Sequence, residues 1–495
     1  MWKKLLITGC VTFSLLSGGT LSAQPSCEIK EEVTSEQLDR TQKELVAMMK
    51  ELKNDSYFQT ELDKAAVQSS LSKRMAAYKD LTVRLLSVLE IQAELEWMKP
   101  EAIQEALGIM KKSSGFDAVL ADKRFGELKS LLAGGFDGIY TGDAQAIDKA
   151  NETLTLKRKL MLMSPDVNVD KMLTVKFDLG ERANFVGAGS LGIQPNNWSN
   201  LSSASRKNFK AQLVELSGLQ SGELSEKVLY KPAVDGSSVT DLVLNWDGKR
   251  LMFTALDTTR RWQVHELDIN NGEAKQVTNI PEPDLEFFDG TYLPDGRMLA
   301  ISNIGYQGVP CVNGSDAVGN MVLYDPSNGY LRRLTFDQDA NWHPVVMANG
   351  KVMYVRWEYT DLTHYFSRIV MHMNPDGTEQ KSLYGSGSMF PNSIFDVQPL
   401  PKHTNRFVGV ISGHHGVARS GRLMIFDPAK SRKEEKGMIQ ELPFRGRPII
   451  PEVKDELVNG VWPQFIKPYP LTDETFLVTA KLSPYSRWGI YLVDI

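Results

Sequence analysis

The histidines of this chain are its clearest candidates for chemistry, because imidazole can bind a metal or move a proton near neutral pH. All seven lie between positions 265 and 415. His343 follows Trp342, and His414 and His415 stand together between two glycines. Neighbouring side chains on a strand face opposite sides, but a glycine-flanked loop could bring both rings to one zinc ion. Hydrogen-bonded structural histidines are the favoured interpretation; a metal or substrate site formed by His343, His414 and His415 is the alternative.

A short acidic run ahead of these histidines imitates the start of a calcium loop. Asp337, Asp339 and Asn341 match the first three ligand positions of an EF-hand. The sixth position is Trp342 rather than glycine and the twelfth is Ala348 rather than glutamate, so an EF-hand is excluded. The pattern favours a solvated turn that enters a strand. The alternative is a different calcium site that uses Asp337 and Asp339.

A second cluster of charges and aromatics follows a hydrophobic run at residues 352–355. It contains Arg356, Glu358 and Asp361, with Trp357 and Tyr359 between them. We expect a network at the edge of a sheet, in which Arg356 pairs with Glu358 or Asp361. The alternative is a ligand-recognition loop in which Trp342 and His343 join these three charged residues. No nucleophile with a base in reach is evident from the sequence, so catalysis is not predicted from the residues.

The elements that would position these residues are indicated by repeated turns. Asp247-Gly248, Asp295-Gly296 and Asn349-Gly350 each precede a hydrophobic run, and such pairs supply the positive φ angles of tight hairpins. A period of roughly 40 to 55 residues with four short strands is typical of a β-propeller blade. We predict six blades, or seven as the alternative, and expect residues 489–493 to pair with an early strand and close the ring. The predicted blades are residues 171–231, 239–285, 287–340, 342–388, 393–445 and 460–495.

The region before the propeller has helical periodicity. Thr34 and Gln37 have the spacing of a capping box, and apolar residues then recur at helical intervals through residues 34–164. We predict a compact helical domain there, with a coiled-coil dimerisation arm as the alternative. Pro165 breaks the pattern. The predicted fold class is therefore α+β multidomain: an N-terminal helical domain followed by an all-β propeller at residues 165–495.

The first 23 residues are typical of an export signal. Lys3 and Lys4 precede an apolar run at residues 5–16, and small residues precede a cleavage point after Ala23. Residues 24–33 are expected to be a flexible segment. A lipid anchor at Cys10 is disfavoured because the apolar run before it, residues 5–7, is too short. We therefore expect a periplasmic or secreted protein without a transmembrane span.

Charge and cysteine content limit the kinds of partner and cofactor that this protein is expected to have. The net charge is −5 and there is no polybasic tract, so neither nucleic acid nor an anionic membrane is an expected partner. In an oxidising compartment Cys27 and Cys311 could form a disulfide, although they could equally remain separate. No Cys-x-x-Cys-His motif occurs, which excludes covalent c-type haem.

Several motifs resemble known propellers. Residues 293–302, 321–325 and 331–335 resemble the repeat of TolB-type propellers. A further set of segments resembles the middle domain of the hydrazine synthase alpha subunit and its relatives. These segments are residues 337–344, 354–361, 374–378, 384–386, 412–416, 468–471, 476–478 and 491–494. This resemblance covers about residues 165–495. It implies a propeller and suggests a set of positions that could matter for function: Cys311, His343, Glu358, His414 and His415.

The same resemblance limits the expected activity. In hydrazine synthase the chemistry belongs to c-type haems held around the propeller, and this sequence has no haem-attachment motif. Hydrazine synthesis is therefore not expected. We expect a binding or scaffold module whose propeller face engages a protein or a glycan, with the helices as a docking or oligomerisation surface. The alternative is a subunit of a periplasmic redox or metal-dependent enzyme that uses the histidines and carboxylates, with zinc or calcium.

Overall fold

The computed structural model of the 495-residue chain describes most of its length. It describes residues 33–165, 167, 169–178, 197–207, 209–221, 223–359, 362, 365, 368–414 and 417–495, together with the backbone of Leu5–Val11. Within these residues, six α-helices are followed by strands in several sheets, as the predicted α+β class requires. None of the described helices has the length and apolar character needed to cross a membrane.

The helices lie within the region predicted to be helical. They are α1 (Ser35–Met49), α2 (Ser56–Ala66), α3 (Leu71–Glu96), α4 (Pro100–Met110), α5 (Ala118–Ala133) and α6 (Ala144–Met161). The capping box is present: the Thr34 side chain accepts from the Gln37 N–H, and the Gln37 side chain accepts from the Thr34 N–H. Pro100 is the first residue of α4, a position where its missing N–H leaves no helical bond unmade.

The strands are numbered in chain order. They are β1 (Leu5–Val11), β2 (Lys171–Asp178), β3 (Lys210–Ser217), β4 (Ser225–Tyr230), β5 (Val239–Leu244), β6 (Arg250–Leu256), β7 (Trp262–Asp268), β8 (Ala274–Gln276), β9 (Phe287–Tyr292), β10 (Met298–Ser302), β11 (Asn320–Asp325), β12 (Tyr330–Arg333), β13 (Asn341–Val346), β14 (Val352–Trp357), β15 (Arg368–Met373), β16 (Lys381–Tyr384), β17 (Ser393–Pro399), β18 (Phe407–Ser412), β19 (Arg422–Phe426), β20 (Met438–Leu442), β21 (Gln464–Pro470), β22 (Thr475–Lys481) and β23 (Gly489–Asp494).

Hydrogen bonding groups these strands into six sheet units. Unit 1 is β1–β4, unit 2 is β5–β8, unit 3 is β9–β12, unit 4 is β13–β16, unit 5 is β17–β20 and unit 6 is β21–β23. Units 4 and 5 are joined by one pair, Arg368 with Ser393. The first strands contact one another in the order β1, β5, β9, β13, β17, β21 and back to β1. A large apolar core extends from unit 1 to unit 5 and buries Trp262 and Trp342 completely.

The first unit differs from the others. Its first strand, β1, runs parallel to β2, whereas in units 2 to 6 the first two strands are antiparallel. Strand β1 lies inside the predicted signal peptide, and that signal peptide stays a prediction. The expectation that residues 489–493 pair with an early strand is wrong, because β23 bonds to β22 as the third strand of its own unit. Its Ile490 and Leu492 side chains instead pack against an apolar cluster that includes Met172 and Leu216 of unit 1.

The helices pack on unit 6 and on the segment that leads into it. Glu90 of α3 accepts a hydrogen bond from the Arg487 N–H at 2.9 Å and also binds the Arg487 guanidinium. Trp97 packs against Phe444, with ring centroids 5.6 Å apart. Tyr485 packs against the apolar core of the helices. The helical part of the chain is thus attached to the sheets on one side.

Candidate functional site

Five first strands share an unusual backbone feature. Each carries one non-glycine residue in the left-handed region, with φ between 49° and 54°. Each of these residues lies where the register between the first and second strands slips, as in a β-bulge. Positive φ is uncommon outside glycine, and bulges re-aim side chains at functional and structural sites. We call these residues the bulge ring: Asp241, Asp289, His343, Asp396 and Lys467.

Members of the bulge ring connect neighbouring units through backbone hydrogen bonds. The Asp289 N–H donates to Asp241 Oδ2 at 3.1 Å, and the His343 N–H donates to Asp289 Oδ2 at 2.6 Å. Between units 5 and 6, the Lys467 N–H donates to Asp396 Oδ2 at 3.0 Å. Each of these carboxylates therefore accepts from the bulge of the next unit. The left-handed conformation aims the N–H at that carboxylate, so the bulges join the first strands.

Opposite charges meet inside the bulge ring. His343 Nδ1 lies 3.4 Å from Asp289 Oδ2, and His343 Nε2 lies 3.4 Å from Asp396 Oδ1. The Lys467 ammonium lies 3.0 Å from Asp396 Oδ1. The Arg419 guanidinium stacks next to them on the ring of Trp342, at 4.9 Å. Three carboxylates thus face two permanent cations and one imidazole.

These neighbours shift the pKa values of the carboxyl groups in opposite directions. Burial raises the pKa of Asp241, and the negative charge of Asp289 raises it further. Burial would also raise the pKa of Asp289, but His343 and Lys467 outweigh it and hold that pKa below its ordinary value. Lys467 and His343 likewise overcome the burial of Asp396 and lower its pKa. Asp289 and Asp396 are therefore the members of the trio best stabilised as anions.

Only one member of the bulge ring was a candidate from the sequence. His343 is indicated by its residue type, whereas residue type alone does not single out the three aspartates or Lys467. A signal was available: Asp241, Asp289, His343 and Lys467 each stand six residues before a turn residue, namely Asp247, Asp295, Asn349 and Asp473. Counting back from the predicted hairpin turns would have found most of the ring.

The other predicted site residues have partners of their own outside the bulge ring. Trp342 is 1% exposed, and its indole N–H donates to the Ser199 carbonyl at 3.2 Å. Arg356 Nε lies 3.2 Å from Asp337 Oδ1, and an Arg356 amino group lies 3.8 Å from Glu358. The His414 N–H donates to the Asp455 carbonyl at 2.8 Å. Asp361 and His415 lie outside the described residues, so their predicted roles stay predictions.

The predicted metals and disulfide also stay predictions. Among the residues that the structure describes, no three or more His, Cys, Asp or Glu side chains are grouped as metal ligands would be. Asp337 is engaged by Arg356 and accepts from Asn341 Nδ2 at 3.0 Å. Cys311 is half-buried, and its proposed disulfide partner Cys27 lies outside the described residues.

Asp339 gives a testable consequence of burial. It is 2% exposed, and its Oδ1 has no hydrogen-bond partner within the described structure. Burial raises its pKa to about 6, although Arg368 limits the rise. The folded protein favours the protonated form of Asp339. This contribution to the free energy of unfolding is fully present below the pKa of the unfolded chain, about 3.9, and is lost as pH rises through about 6. Asp339→Asn should therefore raise the free energy of unfolding by about 1–3 kcal/mol at pH 7.5 and change it little at pH 4, as measured by urea denaturation.

Asp337→Asn is the matched control, because it weakens the ion pair with Arg356 rather than relieving a buried charge. It should leave stability unchanged or lower it at pH 7.5. An Asp339→Asn protein that is less stable than wild type at pH 7.5 would show that the Asp339 anion has a stabilising partner.

Most of these residues belong to one face of the sheet units. Because strands alternate in direction within a unit, loops that enter first strands and loops that join second to third strands emerge at the same end. We call this end the entry face. Residues 334–340, which precede β13, lie there, as do the described residues between β14 and β15, namely Glu358, Tyr359, Leu362 and Tyr365. The described residues between β18 and β19, which are Gly413, His414 and residues 417–421, belong to the same face.

Comparison with known proteins shows similarity of structure alone. No family model and no curated protein matches the sequence. The chain is similar to hydrazine synthase from Kuenenia stuttgartiensis, with 15% identity and a TM-score of 0.47 over 65% of this chain and 43% of that chain. It is similar to TolB from Acinetobacter baumannii, with 11% identity and a TM-score of 0.35 over 66% of this chain and 80% of that one. A further similar structure is an oligogalacturonate lyase in complex with manganese, at 12% identity and a TM-score of 0.37 over 61% of this chain and 90% of that one.

The chain therefore spans less than half of the hydrazine synthase chain that it matches. The resemblance to hydrazine synthase and to TolB-type β-propeller proteins, noted from the sequence motifs, is confirmed as a structural similarity.

Proposed function

We propose that this chain is an exported binding module, in which a six-blade propeller and an N-terminal helical domain together present a surface for a protein partner. The six sheet units would be the blades. The successive contacts of β5, β9, β13, β17 and β21, and the apolar packing of unit 6 on β2 and β3, support this arrangement without β1, which cleavage after Ala23 would remove. The bulge ring would serve mainly to join the blades, since its carboxylates accept hydrogen bonds from neighbouring units. The apolar run behind Lys3 and Lys4 supports export.

The observation that carries the proposal is a patch of exposed aromatic and apolar side chains on the entry face of units 3 and 4. We call it the aromatic patch; its members are Tyr306, Phe336, Tyr359 and Leu362, which are between 51% and 73% exposed. Large apolar side chains that are grouped and exposed commonly mark an interaction site. Single exposed apolar residues would not carry this meaning.

Contacts between neighbouring loops hold the aromatic patch together. The Arg333 guanidinium stacks on Phe336 at 4.7 Å. Gln307, next to Tyr306, donates to the Gln338 carbonyl at 3.4 Å and so links that loop to the one that carries Phe336. Tyr359 packs against the buried Trp357, with centroids 6.0 Å apart. The Arg356 ion pairs with Asp337 and Glu358 border the same loops.

The chemistry of the patch fits a protein partner. Tyrosine, phenylalanine and arginine are enriched in the centres of protein interfaces, where they are surrounded by polar residues. The helices contact the entry face at unit 6 and at the segment that leads into it, through Arg487 and Phe444, rather than at units 3 and 4. Within the described part of the chain, the helices thus leave the entry face of units 3 and 4 exposed.

Phe336→Ala with Tyr359→Ala should weaken partner binding at least tenfold, because interface aromatics of this kind often contribute about 1–3 kcal/mol each. The partner would first be captured by a photo-crosslinking residue at position 336 in the exporting cells. Its affinity for the purified wild-type and variant proteins would then be measured by biolayer interferometry.

Tyr330→Ala is the matched control. Tyr330 is 53% exposed but belongs to the opposite end of unit 3, at the start of β12. The proposal predicts unchanged affinity for this variant. Equal losses in both variants, or no loss in the double variant, would contradict a binding role for the aromatic patch.

One observation favours the alternative function, a subunit of a redox or metal-dependent enzyme. His343 Nε2 is buried, has no hydrogen-bond partner within the described structure and lies 3.4 Å from Asp396 Oδ1, which Lys467 also approaches at 3.0 Å. Unsatisfied buried groups of this type are sometimes completed by an ion. Stoichiometric zinc or calcium in the purified protein that is lost in His343→Ala but retained in His403→Ala would favour this alternative.

A further inference from the structure

A cleft lies between the helices and the loops of unit 6, away from both the bulge ring and the aromatic patch. Its volume is about 510 Å³, and it is bordered by α3, the end of α1 and residues 482–484. The indoles of Trp97 and Trp462 line it from its two sides, one on the helical part and one on the sheet part. A volume of roughly 300–1,000 Å³ is typical of small-molecule sites.

Both indoles are held in place by other side chains. Trp97 follows α3 directly and packs against Phe444 at 5.6 Å. The Lys481 ammonium lies 5.4 Å from the centre of the Trp462 ring. Each indole is only partly buried. Because the rings are already positioned, a ligand that stacks on them would lose little free energy in ordering them.

Polar groups surround the indoles at the cleft wall. Gln92 is fixed by two bonds: its Nε2 donates to the Glu51 carbonyl at 2.9 Å, and its Oε1 accepts from the Lys53 N–H at 3.1 Å. The exposed side chains of Glu51, Glu96 and Lys99 add two carboxylates and an ammonium. Such groups can accept from and donate to several hydroxyl groups of one ligand.

The charges of the cleft nearly balance. Lys53 pairs with Glu96 at 3.2 Å, and Lys99 offsets Glu51 across the same opening. Lys481, next to Trp462, interacts with the carboxylate of Glu90. A quaternary ammonium could stack on the indoles, but the ammonium groups of Lys99 and Lys481 beside them would repel it. A phosphate site would need an excess of cations. The balance favours a neutral ligand with many hydroxyl groups.

We infer that this cleft binds a neutral oligosaccharide. The C–H faces of two sugar rings would stack on Trp97 and Trp462, since an indole offers a large apolar face beside its polar N–H. The hydroxyl groups would bond to Glu51, Glu96 and Lys99. The site is distinct from the aromatic patch and does not depend on a protein partner there.

Isothermal titration calorimetry of the full mature chain tests the inference, with cellotetraose, maltotetraose and N-acetylchitotetraose as probes. At least one of them should bind saturably. Trp97→Ala should weaken that binding at least tenfold, and Glu51→Ala, which changes an exposed side chain and leaves folding intact, should weaken it at least threefold. Trp246→Ala is the control, because Trp246 is 62% exposed on unit 2 and should bind as wild type does.

Each outcome decides the matter. Binding that is lost in Trp97→Ala and reduced in Glu51→Ala, but kept in Trp246→Ala, supports the inference. No binding of any of the three tetrasaccharides to wild type overturns it. So does binding that persists in both cleft variants, or a wild-type cleft that binds tetramethylammonium or inorganic phosphate in place of the tetrasaccharides.

Discussion

Replacing Asp289 by alanine is expected to lower the free energy of unfolding by about 3 kcal/mol or more, because it removes one partner of a buried charge network. The Asp289 carboxylate accepts the His343 N–H at 2.6 Å and lies 3.4 Å from the imidazole. Its loss would leave that N–H without its acceptor and would detach unit 3 from unit 4 at the bulge. Urea denaturation at pH 7 followed by circular dichroism measures the change.

Asp295→Ala is the matched control for this prediction. It lies in the turn of the same unit, is about half exposed and pairs with Arg297 at 2.6 Å. Surface pairs contribute roughly 0–1 kcal/mol, so the control should lose little stability. Similar losses in the two variants would contradict the assignment of Asp289 as a structural link between units.

The pH dependence of the Asp289 effect has a defined sign. Its folded pKa is lowered by His343 and Lys467 against the effect of burial. A carboxyl group whose pKa is lowered by folding stabilises the folded state. This stabilisation is complete above the pKa of the unfolded chain, about 3.9, and is lost as pH falls through the pKa of the folded state. Asp289→Asn keeps an oxygen acceptor for the His343 N–H but removes the charge. Its destabilisation should therefore be largest at neutral pH and shrink below about pH 4.

The second large effect is expected at the contact between helices and sheets. Glu90→Ala should lower the free energy of unfolding by about 2–4 kcal/mol, because it leaves the partly buried Arg487 guanidinium without its carboxylate. Glu90 binds this guanidinium and also accepts from the Arg487 N–H. The thermal unfolding midpoint should fall, and the transition should broaden or split as the helices separate from unit 6. Differential scanning calorimetry measures both.

Glu105→Ala is the control for the second prediction. Glu105 also reaches across to the sheets, with Arg445 at 2.7 Å, but both side chains are more than half exposed. This pair should contribute about 1 kcal/mol or less. A Glu90→Ala protein with a wild-type midpoint would show that the helices and sheets unfold independently, as would a fully stable fragment of residues 166–495.

Features formed by neighbours in the chain were predictable from the sequence. Thr34 and Gln37 are three residues apart, so one turn of helix suffices to bring their bonds together. Gly248, Gly296 and Gly350 adopt positive φ values of 67°, 91° and 79° in the turns predicted for them. These conformations depend on local sterics and local hydrogen bonds. That is why the turns and the repeating sheet units could be predicted without any knowledge of long-range contacts.

The candidate sites depend on pairs that lie far apart in the chain. Asp289 meets His343 across 54 positions, and Glu90 meets Arg487 across 397. The repeat of the units places Asp289 and His343 at equivalent positions but does not show that they meet, and Glu90 and Arg487 have no periodic signal. The partner of each charge is set by how whole units pack. For the same reason the sequence suggested that residues 489–493 would bridge to an early strand, whereas packing made β23 the third strand of unit 6.

By itself the sequence determined where the helices, the hairpin turns and most of the later strands lie, since local bonds and apolar periodicity specify them; it did not indicate β1. It also determined that His343 stands at the start of a strand. Only the tertiary structure decided that His343 sits between Asp289 and Asp396, and that Trp97 and Trp462 line one cleft. Those neighbours come from separate units and helices, and their distances follow from the packing of the whole chain.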